Sequence, residues 1–464
     1  MRSLARPSLW RHREFMKLWS AATVSVIGSQ MTVIALPFIA LTMLGATVLE
    51  VSALAAVEML PFLLITLPAG AWLDRVRRRP VLVAADIGRG FVLLSIPVAY
   101  VADALTLWQL YVVAFVTGTL TAFFDIADQS FLPAILDRDD LVDGNAHLQI
   151  SNSVAQIGGP ALGGNLIAIV AAPFAIVADA LSFFISGAFI SAIRRREDKP
   201  ERRLGPDGRP TSMRTDIAEG LRYVLGNRYL RPIAACTGTS NLFGAAAFGV
   251  FPVLIWGELR LPPAFFGTVM GLASVGFLAG AVLSSRLPRA IGVGPTIMVS
   301  AAFSSPAFLL MAVTPARLEV AAVTLFVGWF VAGLAQVVYN VAQVSLRQAI
   351  TPPEMQSRMN ATMRFIVWGT IPIGSLMGGV MASVLSVRAT LVIASVATFA
   401  SFVPVAVSPL RSLLQLPRDG GDPLGETDTR GTAASELGTD GAATRGTAAD
   451  GTDAVPGAMA TATR

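Results

Sequence analysis

The stretch GTLTAFFDIADQSFLPAILDRDDLVDGNAHLQISNSVAQIGGPALGG, residues 118–164, is repeated in the second half of the chain. It aligns without a gap with residues 333–379, GLAQVVYNVAQVSLRQAITPPEMQSRMNATMRFIVWGTIPIGSLMGG. Ten paired positions are identical, and others keep their polar character, as where Asp125 pairs with Asn340. The chain therefore consists of two similarly built halves.

The chain is too apolar for a water-soluble protein. Hydrophobic residues make up 54% of it, charged residues only 14%, and the mean hydropathy is +0.64. A soluble protein of this size could not cover so much apolar surface, so we predict that lipid surrounds it. Runs near the ~20 residues that cross a bilayer lie at about 18–41, 51–73, 81–102, 107–131, 146–170, 173–193, 232–256, 264–285, 295–313, 319–343, 361–385 and 389–408.

The repeat and the apolar runs together predict the fold class. Each half holds six apolar runs. The repeated stretches begin at residues 118 and 333, and this spacing is far too long for the repeat of a solenoid. Duplicated six-helix halves with a binding site between them are typical of membrane transporters. We therefore predict an all-α integral membrane protein with twelve transmembrane helices, arranged as six-helix bundles at 1–193 and 232–410.

Two segments are predicted to lie outside the bilayer. Residues 194–231 are rich in arginine, and the part TDIAEGLRYVLGNRYL has apolar residues on one helical face. We predict a cytoplasmic basic linker with an interfacial helix. Residues 411–464 are mostly Gly, Thr, Ala and Asp. They can bury too little apolar surface to fold, which predicts a disordered cytoplasmic tail.

The distribution of basic residues predicts the orientation. If the N-terminus is cytoplasmic, the outside loops hold only Arg260, Arg317 and Arg388 among the Lys and Arg residues. By the positive-inside rule, both termini are then cytoplasmic, and the protein lies in the plasma membrane, the cytoplasmic membrane of a bacterium. The net charge of +5 fits contact with anionic lipid, and no soluble basic face exists for nucleic acid.

Residue counts exclude several classes of chemistry. Cys236 is the only cysteine, and His12 and His147 are the only histidines, so an intrachain disulfide, an HExxH motif or a Cys/His zinc cluster cannot be assembled. The only lysines, Lys17 and Lys199, do not follow a glycine, as the lysine of a phosphate-binding loop does. We expect no enzyme activity, cofactor or metal. The expected partners of the monomer are a small-molecule substrate, protons and the lipid bilayer.

The first motif is the loop GAWLDRVRRR at 70–79, between the second and third runs. Its carboxylate can cap a neighbouring helix and pair with the arginines, forming a conformational latch that opens when those contacts break. The candidate latch residues are Gly70, Asp74, Arg75, Arg78 and Arg79. The alternative is a basic loop that only fixes the topology.

The second motif is AQIGGPALGG at 155–164, in the fifth run. Its key residues are Gly159, Pro160, Gly163 and Gly164. Small residues let helices approach closely, and a proline inside a helix removes a backbone hydrogen bond. The alternative is ordinary packing of small residues.

The two motifs resemble those of the major facilitator superfamily, over roughly residues 10–410. The loop is similar to its G-x-L-a-D-r-x-x-R-R element, and the helix is similar to its antiporter motif. The branch it resembles most includes twelve-helix multidrug, macrolide and siderophore exporters. The resemblance implies the major facilitator fold and efflux by alternating access. The R-x-x-Q-G element of related proton antiporters is missing, because Ala114 and Thr117 precede Gly118.

Charged residues inside the predicted spans are functional candidates, because the bilayer makes them costly. Asp86 and Arg89 in the third run lie at the same depth as Asp125 and Asp128 in the fourth. Glu58 lies alone, roughly 10 Å deep at 1.5 Å per residue. We regard all five as proton-coupling candidates. The alternatives are a structural ion pair and a carboxyl group bonded to a neighbouring helix.

Polar and aromatic residues on facing helices are candidates for lining a central cavity. They are Phe123, Phe124, Asn152, Gln156, Phe243, Phe248, Gln336, Tyr339, Asn340 and Trp368. Our sequence-based hypothesis is a secondary active transporter that exports amphipathic small molecules as protons enter. The alternatives are a proton-coupled uptake symporter and a membrane scaffold or sensor that transports nothing.

The latch hypothesis is tested by Asp74→Asn. The substitution keeps the shape of the side chain but removes its charge, so we expect normal expression and folding with most transport lost. Transport of a dye panel by cells producing equal amounts of each protein is the measurement. Wild-type rates in the variant would mean that the loop only fixes the topology.

Overall fold

The computed structural model describes residues 9–73, 76–136, 140–194 and 213–415. Asp74 and Arg75 of the latch, residues 195–212 of the linker and the tail beyond 415 lie outside the described residues. The described parts form helices, with these bounds: α1 Arg13–Thr42, α2 Val48–Leu73, α3 Arg78–Val101, α4 Leu107–Ile135, α5 Leu141–Val170, α6 Ala172–Ser191, α7 Met213–Gly226, α8 Leu230–Pro252, α9 Pro263–Ala273, α10 Val275–Ile291, α11 Val293–Phe303, α12 Ser305–Ala312, α13 Leu318–Ile350, α14 Pro353–Val384, α15 Val387–Ala400 and α16 Val403–Ala406.

Twelve spans of the described residues are long and apolar enough to cross a membrane. The first six are α1 to α6, and α13 and α14 are also unbroken. Four spans of the second half are composite: α8 continues into a π-helical turn at Val253–Glu258, and α9 with α10, α11 with α12 and α15 with α16 each form one span. The twelve-helix all-α fold predicted from the sequence is confirmed.

The breaks in the composite spans have local causes. At Ser274 and Ser304 the hydroxyl group donates to a carbonyl of its own helix, Met270 at 2.8 Å and Ala301 at 2.7 Å. Such bonds compete with the backbone ladder and bend helices. Pro306 then follows closely in the chain and cannot donate a backbone hydrogen bond. The helix axis is therefore interrupted although the apolar run continues.

The short break between α5 and α6 has a different cause. Ala171 has φ +67°, a conformation that an L-residue with a Cβ atom adopts at a cost. Pro173 follows within the first turn of α6, where its fixed φ suits a helix start. Two spans are therefore joined almost without a loop.

The helices pack into two bundles that meet along two helix pairs. In the first bundle α1 contacts α5 and α6, and in the second α8 contacts α14 and α15. Between the bundles, α2 packs on α14 and α5 packs on α9. These two pairs are equivalent under the internal repeat, because α5 corresponds to α14.

Three buried hydrophobic clusters show how the bundles are joined. The largest lies where α1 ends and α9 begins and combines both bundles, with Ile39 and Val51 from the first and Phe251 and Phe266 from the second. We call this the joined end. Each of the other two clusters draws on one bundle alone, one around Phe131 and one around Met359. The bundles are therefore packed together mainly at one end of the molecule.

The helix α7 in the predicted linker packs on the second bundle. Gly220 lies against Arg358 and Thr362 of α14, and Arg358 pairs with Glu219 at 2.8 Å. Val224 is fully buried, whereas Leu221 and Leu225 are exposed on the outer side. The described part of the linker thus belongs to the second bundle by its contacts.

The outer surface of the bundles is apolar. Trp108, Ile169 and Val384 each expose more than three quarters of their surface. In water, such a surface would drive aggregation, whereas in a bilayer it contacts acyl chains and, for tryptophan, the interfacial layer. This surface fits a multi-pass membrane protein.

Candidate functional site

Arg89 is the centre of a buried polar cluster in the first bundle. Its guanidinium donates to the carboxylate of Asp86, one turn earlier on α3, and to Thr121 Oγ1 of α4 at 3.3 Å. Ser186 of α6 donates to Asp86 Oδ2 at 2.6 Å. Asp86 and Arg89 are almost completely buried. The pair therefore ties three helices together.

Two aromatic rings enclose the same guanidinium. The Arg89 Cζ atom lies 4.1 Å from the ring centroid of Phe183 and 4.5 Å from that of Phe124. Each ring face attracts the cation and excludes water from it. The two rings thus hold the Arg89 guanidinium away from solvent.

Asp125 and Asp128 of α4 belong to the same cluster. Both interact electrostatically with Arg89, and Asp128 also interacts with Asp125 and Asp86. Three carboxyl groups therefore share one buried guanidinium, and a proton on one of them would reduce the repulsion within the cluster. Asp125 additionally interacts with Arg364 of α14, in the second bundle. The cluster is thus linked to the opposite bundle.

Glu58 lies near a second acidic group. It interacts electrostatically with Asp179 of α6, whose carboxylate accepts hydrogen bonds from Thr32 of α1 and, at 3.2 Å, from Ser182. Asp179 is buried, whereas Glu58 is partly exposed and makes no hydrogen bond to a described residue. Glu58 is therefore a carboxyl group without a hydrogen-bond partner among the described residues.

The glycines of the second motif lie at two different interfaces. Gly159 and Gly163 face α1, where the Gln30 side chain and the Met31 backbone fill the space that a Cβ atom would need. Gly164 faces the other bundle, and a Cβ atom there would overlap the carbonyl oxygen of Pro263 in α9. In return, Gly267 of α9 lies against the Pro160 carbonyl. The motif therefore forms part of the seam between the bundles.

The repeat places matching glycines in α14. Gly374 and Gly378 face α8 of their own bundle, as Gly159 and Gly163 face α1. Gly379 faces the other bundle, where a Cβ atom would approach Ser52 and the backbone of Leu49 in α2. Both inter-bundle contacts thus rest on the same repeated pattern of small residues.

The described part of the predicted latch lies at the end opposite the joined end. Gly70 is in the last turns of α2, and Arg78 and Arg79 begin α3. Arg79 donates to the carbonyl oxygens of Ile190, at 3.2 Å, and Ser191. It therefore satisfies carbonyls at the C-terminal end of α6, where a cation is favourable.

Four cavity candidates come together in the second bundle. Gln336, Tyr339, Asn340 and Trp368 line a cavity of about 280 Å³ between α8, α11, α13 and α14. Tyr339 shares a 2.6 Å hydrogen bond with Thr237. The cavity lies on the face of α13 and α14 that Phe62 of α2 approaches, with its ring 5.0 Å from that of Trp368.

The other six cavity candidates do not line this cavity. Phe124 covers Arg89, Phe123 packs edge-on against Trp72, and Phe248 lies 6.4 Å from Trp329. The Asn152 side chain donates to the backbone oxygen of Leu148, and Gln156 is exposed on α5. Phe243 packs against the hydrophobic cluster of the joined end.

Sequence reasoning missed the five other polar residues that line the cavity. They are Thr237, Ser240, Asn241, Ser300 and Ser304. The spacing of the three in α8, at positions 237, 240 and 241, puts them on one helical face and could have identified them. Single hydroxyl groups in apolar helices usually indicate packing, which is why they gave no stronger signal.

A comparison with known families identifies the chain. A family model described as transmembrane secretion effector matches residues 6–422. The chain belongs to this family, within the major facilitator superfamily. It is a transporter, not an enzyme, and the resemblance found in the two motifs is confirmed.

Curated relatives cover most of this transporter. The multidrug efflux pump Tap of Mycobacterium tuberculosis is 28% identical over 406 residues, which are 85% of this chain and 93% of the pump. An MFS-type transporter of Bacillus subtilis, YfiS, is 24% identical over 82% of this chain and 89% of its own length.

Solved structures establish the fold of the transporter. A bacterial homologue of the iron transporter ferroportin, in an inward-facing state, superposes with TM-score 0.67 at 16% identity and covers 86% of this chain and 100% of its own. A point mutant of the nucleoside transporter NupG superposes with TM-score 0.68 at 13% identity. The match covers 85% of this chain and 99% of the NupG chain.

The glycine seam is tested by Gly164→Val, with Gly158→Val as the matched control. A side chain at Gly164 would overlap α9, whereas Gly158 has open space around it on the same helix. We expect only Gly164→Val to shift the transporter away from the joined state. Met43 and Leu385 are exposed just after the ends of α1 and α14 and can carry spin labels in a Cys236→Ser background. The distance between the two labels measures the shift. Identical distance distributions in the two variants would contradict the role of the seam.

The Arg89 cluster is tested by a double-mutant cycle. Arg89→Gln leaves Asp86 buried without its cation, so we expect unfolding to cost about 3–5 kcal/mol less. Adding Asp86→Asn should restore part of this loss, because the carboxylate that accepted the hydrogen bond of the missing guanidinium is then neutral. Thr121→Val, which removes one neutral partner, should cost only about 1 kcal/mol. Unfolding in detergent is measured for the wild type, for Arg89→Gln, Asp86→Asn and their double variant, and for Thr121→Val. Additive effects of the two charge changes would argue against the pair.

Proposed function

We propose that this transporter exports amphipathic small molecules from the cytoplasm by alternating access, in exchange for protons. The similarity to a multidrug efflux pump over most of both chains supports export. Positively charged loops at the end opposite the joined end support a cytoplasmic position for that end. In this orientation, the joined end faces outside and the central space is reached from the cytoplasm.

The position of Asp125 carries the proposal. Its carboxylate interacts electrostatically with Arg89 of its own bundle and with Arg364 of the opposite bundle. A proton on Asp125 removes the charge that attracts Arg364, while Arg89 keeps its other carboxylate partners. Protonation therefore weakens an attraction between the bundles without dismantling the first bundle. A proton at this position can favour one arrangement of the bundles over the other, as an exchanger requires.

Glu58 is the proposed entry point for the proton. Gly118 lets α4 approach the backbone oxygen of Glu58, and Asp125 follows two turns later on α4, about 10 Å away at 1.5 Å per residue. A proton that enters at Glu58 therefore moves along α4 to reach Asp125, through water or with a movement of the bundles. The two carboxyl groups thus lie on one helix pair, at different depths.

The coupling is tested by Glu58→Gln, Asp125→Asn and Asp128→Asn. Each substitution removes a titratable group but keeps the shape of the side chain, so substrate should still bind but should not drive proton movement. Glu319→Gln, at the exposed start of α13, is the matched control and should behave as wild type. Substrate-driven proton flux in vesicles with one imposed gradient is the measurement.

The outcomes separate the possible mechanisms. Loss of flux in one variant alone identifies that residue as the carrier. Normal flux in all three would refute proton antiport through these carboxyl groups and favour facilitated diffusion or another ion. A substrate that moves with the protons, instead of against them, would make the protein an uptake symporter.

A further inference from the structure

The cavity in the second bundle has an unusual lining for a site next to buried charges. Five hydroxyl groups and three carboxamide groups line it, and none of its lining residues carries a formal charge. Asn340 is one of the carboxamides and aligns in the repeat with Asp125, which is a carboxylate. The second bundle therefore has neutral polar groups where the first has acidic ones.

Several of these groups can bind a ligand. Gln336 and Asn340 are exposed to the cavity and make no hydrogen bond within the described part of the chain, so each offers two donors and an acceptor. Asn241 donates to the Val367 carbonyl at 3.0 Å, which leaves its side-chain oxygen able to accept. Ser300 and Ser304 donate to carbonyls of their own helix, so their oxygens can also accept. The cavity thus presents mixed donors and acceptors from several sides.

The charge pattern disfavours ionic ligands. A cation would need a carboxylate or an open aromatic face, but the Arg364 guanidinium already lies 5.0 Å from the ring centroid of Trp368. An anion would need a basic residue in the lining, and the cavity has none. A ligand with hydroxyl groups suits the cavity better than an ion, because each hydroxyl group both donates and accepts hydrogen bonds without a charge.

The volume sets the size of the bound group. At about 280 Å³, the cavity is slightly smaller than the roughly 300–1,000 Å³ of pockets that enclose a whole small molecule. It can hold one ring with its substituents. The remainder of an amphipathic molecule would lie outside the cavity, towards Phe62 of the first bundle.

We propose that this cavity is a subsite for a neutral, hydroxyl-rich ring, such as a glycosyl group, on an amphipathic substrate. This inference rests on the proposed function and assigns a substrate class to it. Recognition comes from Gln336 and Asn340 of α13, from Asn241 of α8, and from Ser300 and Ser304 at the end of α11. The first bundle supplies the proton-binding carboxyl groups.

The test compares two neutral probes that differ only in the sugar. We would measure binding of 4-methylumbelliferyl β-D-glucoside and of its aglycone, 4-methylumbelliferone, at mildly acidic pH by equilibrium dialysis. The full-length protein is held in lipid nanodiscs free of sugar detergents. We expect the wild type to bind the glucoside about three- to tenfold more tightly, the effect of one or two added neutral hydrogen bonds.

Variants locate the preference. Gln336→Leu and Asn340→Leu should remove it, and Asn340→Asp, which keeps the shape but loses the donors, should reduce it without a change in packing. Gln348→Leu is the matched control, because Gln348 is exposed on the same helix and does not line the cavity. Equal affinity of the wild type for both probes, or a preference that survives in the cavity variants, would overturn the subsite.

A parallel transport assay separates this inference from the proposed function. If vesicles move the aglycone against a proton gradient but the protein shows no preference for the glucoside, export stands and the subsite is wrong. If the preference depends on Gln336 and Asn340 but neither probe drives proton flux, the subsite stands and proton-coupled export is wrong.

Discussion

Close backbone contact between helices is the constraint on which this structure depends. Lipid is as apolar as a leucine side chain, so helices in a bilayer gain little from burying apolar surface and must pack closely instead. Gly164 and Gly379 allow this at the two places where the bundles meet. Because the contacts are short-ranged, a gap of less than about 1 Å already loses roughly a quarter to a half of the attraction. The bundles are therefore expected to be either fully joined or fully parted at this end.

The internal repeat preserves the packing and changes the polar chemistry. The glycines recur at equivalent positions, with the same division between contacts within a bundle and contacts across the seam. At the polar positions, Asp125 and Asp128 of the first half correspond to Asn340 and Gln343 of the second. Gln343 and Asn360 accept hydrogen bonds from the buried Arg347, both at 3.0 Å, so this arginine is held by amides. The two halves share one architecture but differ in charge.

The fold could be predicted from the sequence, because hydropathy and the repeat are properties of single segments. The number of spans and the short break at Ala171 follow from them. The composite spans could not be predicted, since the apolar runs continue across Ser274 and Ser304. The length of α13 could not be predicted either, because its polar ends remain helical beyond the ~20 residues that cross a bilayer.

The candidate site was predictable in its residue types but not in its partners. The cost of burying charge singled out Asp86, Arg89, Asp125 and Glu58. That Asp125 faces Arg364, and Glu58 faces Asp179, depends on which helices are neighbours and how each is rotated. No local pattern in the sequence contains this information. The polar cavity was missed in part for the same reason, since its lining is spread over four helices.

The composite spans have a consequence for the range of molecules that the protein can accommodate. All of them belong to the second bundle, whereas every span of the first is a continuous helix. A helix bends most easily where its hydrogen-bond ladder is interrupted. One such interruption, at Ser304, lies in the wall of the polar cavity itself. In the proposed subsite, that wall can adjust to rings of different shape, whereas the described spans that carry the Arg89 cluster are not broken in this way.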